Sequence, residues 1–86
     1  MILSTDLPLK AIKKVTPKED YILVIEFFDD SVKSYDMKPH IEKYEPFRPL
    51  KNPSLFAKAR AEAGAVVWND EIDIAQEHLY EFGTDI

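Results

Sequence analysis

The sequence predicts an α+β domain: an antiparallel sheet of about five strands, a meander plus a hairpin, with two or three short helices. Three observations predict it. Tyr21–Phe28 is a run of apolar residues broken only by Glu26, and it ends in Asp29-Asp30-Ser31, a turn sequence. The connections on either side of that run are too short to carry a helix, so neighbouring strands pair antiparallel. Helix signals are short and set by prolines: Pro39, Pro53 and a last stretch closed by Gly83.

Residues 1–9 read as extended or loose, with Pro8 against any helix. Ala11–Thr16 is expected as the first strand, and Pro17–Asp20 as a turn. Tyr21–Phe28 is the central strand. Its odd positions Tyr21, Leu23, Ile25 and Phe27 and its even positions Ile22, Val24 and Phe28 are apolar, so both faces call for cover. Val32–Asp36 is the third strand. Pro39 opens a short helix through Lys43, and Tyr44–Leu50 is expected to be irregular, with Phe47 and Leu50 packing on the sheet. Asn52-Pro53 is an N-cap followed by a first-turn proline, and the helix it opens carries Leu55 and Phe56 inward. Residues 57–66 support two readings. Ala57–Ala63 has high helix propensity, yet it alternates small apolar and charged residues with the period of a strand. Asp73 is expected to cap a final helix with Gln76 as the second half of a capping box, Leu79, Tyr80 and Phe82 to anchor that helix, and Gly83 to end it.

The chain of 86 residues is expected to be a single domain. It has no cysteine, which excludes disulfides and thiolate chemistry. Without a basic n-region or a long apolar run it is expected to be cytoplasmic, with no membrane segment. The net charge of −5 is unevenly placed. Residues 1–51 hold nine acids and nine Lys or Arg; residues 52–86 hold seven acids against Lys58 and Arg60. Such a balance repels a phosphate backbone and argues against direct nucleic-acid binding, while it would steer a basic partner. The plain alternative is a solvated surface.

Leu23, Phe27-Phe28-Asp29-Asp30, Tyr35-Asp36-Met37-Lys38-Pro39, Phe47-Arg48-Pro49-Leu50, Leu55-Phe56, Gly64, Trp68, Asp73-Ile74 and Leu79-Tyr80 follow one another in an order and spacing that resembles a bacterial family, domain of unknown function family 2442. The resemblance covers Tyr21 to the end. It implies a strand after the Leu-Phe pair and a glycine turn into the Trp strand, so Lys58–Glu62 is expected to pair with Ala65–Trp68. It implies no catalytic residues. The genomic setting of the family, beside a second small protein, is like that of toxin–antitoxin pairs.

Asp70, Glu71, Asp73, Glu77 and His78 form the one group that could pass for a site, and oxygen-rich loops suit calcium or magnesium. The spacing is not that of a calcium loop, so no metal and no other cofactor is expected. His40 and His78 lie in no metal-ligand spacing; both are expected on polar, exposed helix surfaces. With only Gly64 and Gly83 there is no phosphate-cradling loop, and no nucleophile motif is present, so no catalysis is expected. Trp68 is expected in the core, its alternative being an interface anchor. Lys10, Lys13, Lys14 and Lys18 are expected to guard an edge strand. The function expected is a non-catalytic protein-interaction module. It would act as a homodimer, or pair with another chain, through apolar residues of the sheet, or take a small basic partner, antitoxin-like in its sharpest form; the candidate interaction surface is Trp68, Asp70, Glu71, Asp73, Glu77 and Tyr80. The alternative is a ligand- or metal-sensing domain that uses the acidic loop after Trp68.

Overall fold

The structure is a computed structural model that describes residues 11–86; the expectations for residues 1–9 and Lys10 lie outside the described residues. The chain runs β1 (Ile12–Lys18), β2 (Ile22–Phe27), β3 (Val32–Asp36), α1 (Lys38–Lys43), a 3-10 helix at Glu45–Lys51, α2 (Pro53–Phe56), β4 (Arg60–Glu62), β5 (Ala65–Asn69), β6 (Ile72–Ala75), α3 (Gln76–Phe82) and β7 (Thr84–Asp85). The class is α+β, as expected, but the strands form two antiparallel sheets and not one of five: a four-stranded sheet in the order β1-β2-β3-β7 and a three-stranded sheet in the order β4-β5-β6.

The meander forms because β2 alternates strictly. Leu23, Ile25 and Phe27 are fully buried on one face, while Ile22, Val24 and Glu26 on the other are half-buried. That second face is less apolar than the run suggested. Across the ladder, Ile22 stands between Lys18 and Asp36, Val24 between Thr16 and Ser34, and Glu26 between Lys14 and Val32. The hairpin turn before β2 is tighter than expected. Asp20 and Tyr21 both take left-handed backbone angles (φ 62° and 61°), a conformation that strains a tyrosine. Tyr21 is therefore in the turn and not the strand; its ring meets Phe56 edge-on at 5.3 Å and its hydroxyl donates to the Lys51 carbonyl.

The stretch from α1 to α2 supplies side chains to the core. Met37, Ile41, Leu50 and Phe56 go into the core, and Asn52 caps α2 by accepting from the Ser54 N–H, as the Asn-Pro pair predicts. Phe47 packs against the core as expected, although Glu45–Lys51 is a 3-10 helix and not irregular. The ambiguous segment resolves as a hairpin: Arg60, Ala61 and Glu62 pair with Val67, Val66 and Ala65. Ala63 (φ 49°) and Gly64 (φ 82°) make its two-residue turn.

The final helix begins later than expected. Asp73 lies in β6 paired with Val67, so it caps nothing; the residue before α3 is Ala75, with no side-chain cap. The reason is visible in the burial: Ile72 and Ile74 point into the core and Asp73 and Ala75 away from it, the period of a strand. Gln76 leaves its expected capping role to join the two sheets. Its backbone N–H donates to the Gly64 carbonyl, and its Oε1 accepts from the Ile12 N–H at 3.2 Å. Val66, Trp68, Ile72 and Ile74 from the second sheet, Leu79 from α3 and the β2 residues form one continuous core.

Candidate functional site between α1 and α3

At the edge of the four-stranded sheet, two helices bring two histidines to one tyrosine. Tyr35 sits on β3, with Tyr35 and Leu23 paired on the core side. The strand ends at Asp36, whose Oδ1 accepts from the Lys38 N–H, and Pro39 sets the first turn of α1. That turn places His40 beside Tyr35. On α3, Leu79 is fully buried and anchors the helix, and His78 faces β3. Gly83 lets the helix end come close: a Cβ there would stand 2.6 Å from the Leu79 carbonyl and 3.0 Å from the Lys33 Cβ.

The Tyr35 hydroxyl lies 2.6 Å from Nε2 of His40 and 2.7 Å from Nε2 of His78. A phenol has one proton, so it donates to one imidazole and accepts from the other. Among the described residues, Nδ1 of His40 is buried with no partner. A neutral imidazole carries one N–H, and a buried orphan N–H is rarer than a buried bare acceptor. The hydrogen-bond network therefore assigns the order His40 Nε2–H to Tyr35 oxygen, and Tyr35 O–H to His78 Nε2, with the His78 proton on Nδ1. Burial, and next the neighbouring His78, push the His40 pKa down. Burial, with lesser contributions from Tyr44 and Asp36, pushes the Tyr35 phenol up. At neutral pH the Tyr35 phenol and the His40 imidazole are uncharged.

Further rings extend this cluster to the surface. His40 lies 5.6 Å from Tyr44 and 5.4 Å from Phe47, His78 lies 4.8 Å from Phe82, and the two imidazoles are 5.6 Å apart. Tyr44 and Phe82 are 54% and 61% exposed, which corrects the expectation that Phe82 anchors its helix. Beside Phe82 opens a cleft of about 400 Å³ lined by Tyr35, Asp36, His40, His78 and Phe82 among others. The histidines, expected on polar exposed surfaces, are half-buried and paired. Sequence reasoning missed them because it looked for metal-ligand spacing. The usable signal was one imidazole and one aromatic ring at i, i+4 on each helix: His40 with Tyr44, and His78 with Phe82.

The pair is poorly arranged to hold a metal ion. A ligating imidazole normally donates its other N–H to an acceptor, and among the described residues His40 Nδ1 has none. Among the described residues no group of three or more His, Asp or Glu side chains is placed to bind one.

The residues expected to form an interaction surface do not converge. Trp68 is only 2% exposed; its indole N–H donates to the Phe56 carbonyl at 3.0 Å, so it is a core residue and no surface anchor. Asp70 and Glu71 are exposed in a turn held by Asn69, whose Oδ1 accepts from the Glu71 and Ile72 N–H groups. Asp73 and Glu77 are exposed on β6 and α3. Tyr80 is turned to the β2–β3 hairpin: its ring meets Phe27 edge-on at 5.0 Å, the Lys33 ammonium stands 4.9 Å from its centre, and its hydroxyl donates to Asp29. The Ser31 hydroxyl, the Tyr80 hydroxyl and the Ser31 backbone N–H together hold the Asp29 carboxyl at about 2.

A larger cleft, about 520 Å³, lies beside the strained turn between Tyr21, Pro17, Pro53 and Phe56. It is mostly apolar, its phenol hydroxyl is already used by the Lys51 carbonyl, and the charged residues of its lining, Lys18, Glu19 and Asp20, are exposed to solvent.

The family model described as protein of unknown function, DUF2442, matches residues 12–85. The chain belongs to this family. No curated protein and no solved structure matches it. The DUF2442 match runs from the first strand to the last, so it takes in Tyr35, His40, Tyr44, His78 and Phe82 alike. No helix among the described residues of this DUF2442 domain is long and apolar enough to cross a membrane.

Proposed function

We propose that this DUF2442 domain is a non-catalytic, cytoplasmic interaction module that docks a small basic protein on the cleft between α1 and α3. The observation that carries the reading is the pair of exposed aromatic side chains, Tyr44 and Phe82, flanking a half-buried imidazole pair. Large aromatic residues standing out of a surface beside a concavity are the usual anchors of protein interfaces. The net charge of −5 favours a basic partner and speeds its approach. An antitoxin-like pairing is the sharpest form of this reading.

The absence of catalysis is supported by the state of the titratable groups. The phenol of Tyr35 is held protonated by burial and donates a hydrogen bond to His78 in a closed chain. Such a group is a weak nucleophile and a weak base at neutral pH. Self-association through the outer face of the four-stranded sheet has less support. Ile22, Val24 and Val32 there are flanked by Lys14, Lys18, Glu26 and Asp36, a narrow apolar strip within a charged surface.

Affinity capture from the native host tests the proposal, with the wild type and Tyr44→Ala/Phe82→Ala run side by side. The expected result is a basic protein that the wild type retains, that the double variant loses, and that added salt releases. Identical captured proteins on both baits would overturn the reading.

A further inference from the structure

Resting on the reading that the cleft docks a basic partner, we infer that the group it takes is the guanidinium of an arginine side chain on that partner. The cleft offers ring surface and one carboxylate. Phe82 is 61% exposed and stacks on His78 at 4.8 Å, with ring planes tilted by 44°. Asp36 is the charged side chain in the lining, and its contacts run through Oδ1: the Lys38 N–H at 2.9 Å and the Lys38 ammonium at 3.4 Å. Among the described residues its second oxygen has no hydrogen-bond or ion-pair partner, so it remains for a ligand. A guanidinium is planar and weakly hydrated, so it can lie on a ring while its edge N–H groups reach a carboxylate. An ammonium group has no face to stack and gives up its hydration only in a closed cage. This cleft is open, which favours arginine over lysine.

The hydrogen-bond chain makes the recognition depend on pH. With His40 Nε2–H donating to the Tyr35 oxygen and Tyr35 O–H donating to His78 Nε2, both imidazoles present neutral rings. A further proton would put a cation in the wall of the cleft and oppose a guanidinium. The surrounding charges do not cancel that effect at short range. Lys33 on β3 is tied to Asp85 on β7 at 2.7 Å. On α1, Glu42 and Lys43 are exposed and Lys38 already meets Asp36; on α3, Glu77 and Glu81 are exposed.

The test is a titration of the full isotope-labelled chain, read at the ring resonances of Tyr35, His40, His78 and Phe82. The probes are blocked short peptides that carry either arginine or lysine. The arginine peptide is expected to move these resonances and to bind at least about fivefold more tightly than the lysine peptide. Phe82→Ala and Asp36→Asn are each expected to weaken it by roughly fivefold to tenfold. Both side chains are exposed, and unchanged amide resonances in the core would show that the variants fold. Lowering the pH from about 7.5 to about 5.5 is expected to weaken binding in the wild type. Equal binding of the lysine peptide would overturn the arginine inference and leave the docking reading standing. If neither peptide moves the ring resonances, or if the shifts centre on Asp70 and Glu71, both are overturned.

Discussion

Replacing Tyr35 by phenylalanine removes one oxygen and tests the chain on which the site is built. The ring and its packing remain, so what is lost is two short hydrogen bonds, at 2.6 and 2.7 Å. Each is worth about 0.5–1.5 kcal/mol net, and the cleft admits water that replaces part of the loss. The expected cost is therefore about 1–2 kcal/mol. For a domain of this size the urea slope is about 1 kcal/mol per M, so the midpoint should fall by about 1–2 M. Melting should fall by about 4–8 °C for each kcal/mol. The single tryptophan, Trp68, is buried and far from the substitution in sequence, which makes its fluorescence a convenient reporter of global unfolding. Imidazole nitrogen shifts give a second readout: in the wild type the His40 proton sits on Nε2, and in Tyr35→Phe it is free to exchange between nitrogens. An unchanged midpoint with an unchanged His40 tautomer would refute the hydrogen-bond chain.

Other outcomes follow from the same structure. Ala63→Asn should stabilise the β4–β5 hairpin by roughly 0.5–1 kcal/mol, since Asn tolerates the left-handed angle that alanine holds at φ 49°; calorimetric melting checks it. Trp68→Phe should cost about 2–4 kcal/mol, because it opens space in the core and leaves the Phe56 carbonyl without the indole N–H; urea titration followed by circular dichroism measures it. The lowered His40 pKa means that the unfolded chain takes up its proton first. Its contribution is complete above about pH 6.5, is lost as pH falls from there to the folded value, and changes no further below it. His40→Gln should flatten that part of the stability profile. Asp29 works in a lower window: with its folded pKa at about 2, its contribution is present above the ordinary carboxyl value and lost as pH falls through about 2. Tyr80→Phe removes one of its donors, so a carboxyl-carbon titration should show the Asp29 pKa rise.

Much of the fold is legible because its signals are local. The alternation in Leu23, Ile25 and Phe27, the Asn52 cap and the Gly83 stop each act within a few residues, and the structure has them where the residues indicate. The β4–β5 hairpin shows where propensity fails. Ala57–Ala63 favours a helix by composition, but pairing Ala61 with Val66 lets β5 bury Val66 and Trp68, and that tertiary gain outweighs alanine's preference. Asp73 shows the converse error. An acid before a helix reads as a cap, yet Ile72 and Ile74 gain more by alternating into the core as a strand. The split into two sheets is not legible: α1 to α2 stand between β3 and β4 in the chain, and no local signal in them says that β4 begins a separate sheet. The candidate site was hidden for the same reason. Tyr35, His40 and His78 span 43 residues, and only packing of α1 and α3 on β3 brings them together.

Hydrogen–deuterium exchange on the domain, alone and bound to a purified basic partner obtained by the capture experiment, tests whether that partner docks on the cleft between α1 and α3. Exchange is expected to slow over residues 36–44 and 76–84, with residues 12–18 unchanged. Protection confined to residues 12–18 and 22–27, or to 60–73, would contradict it.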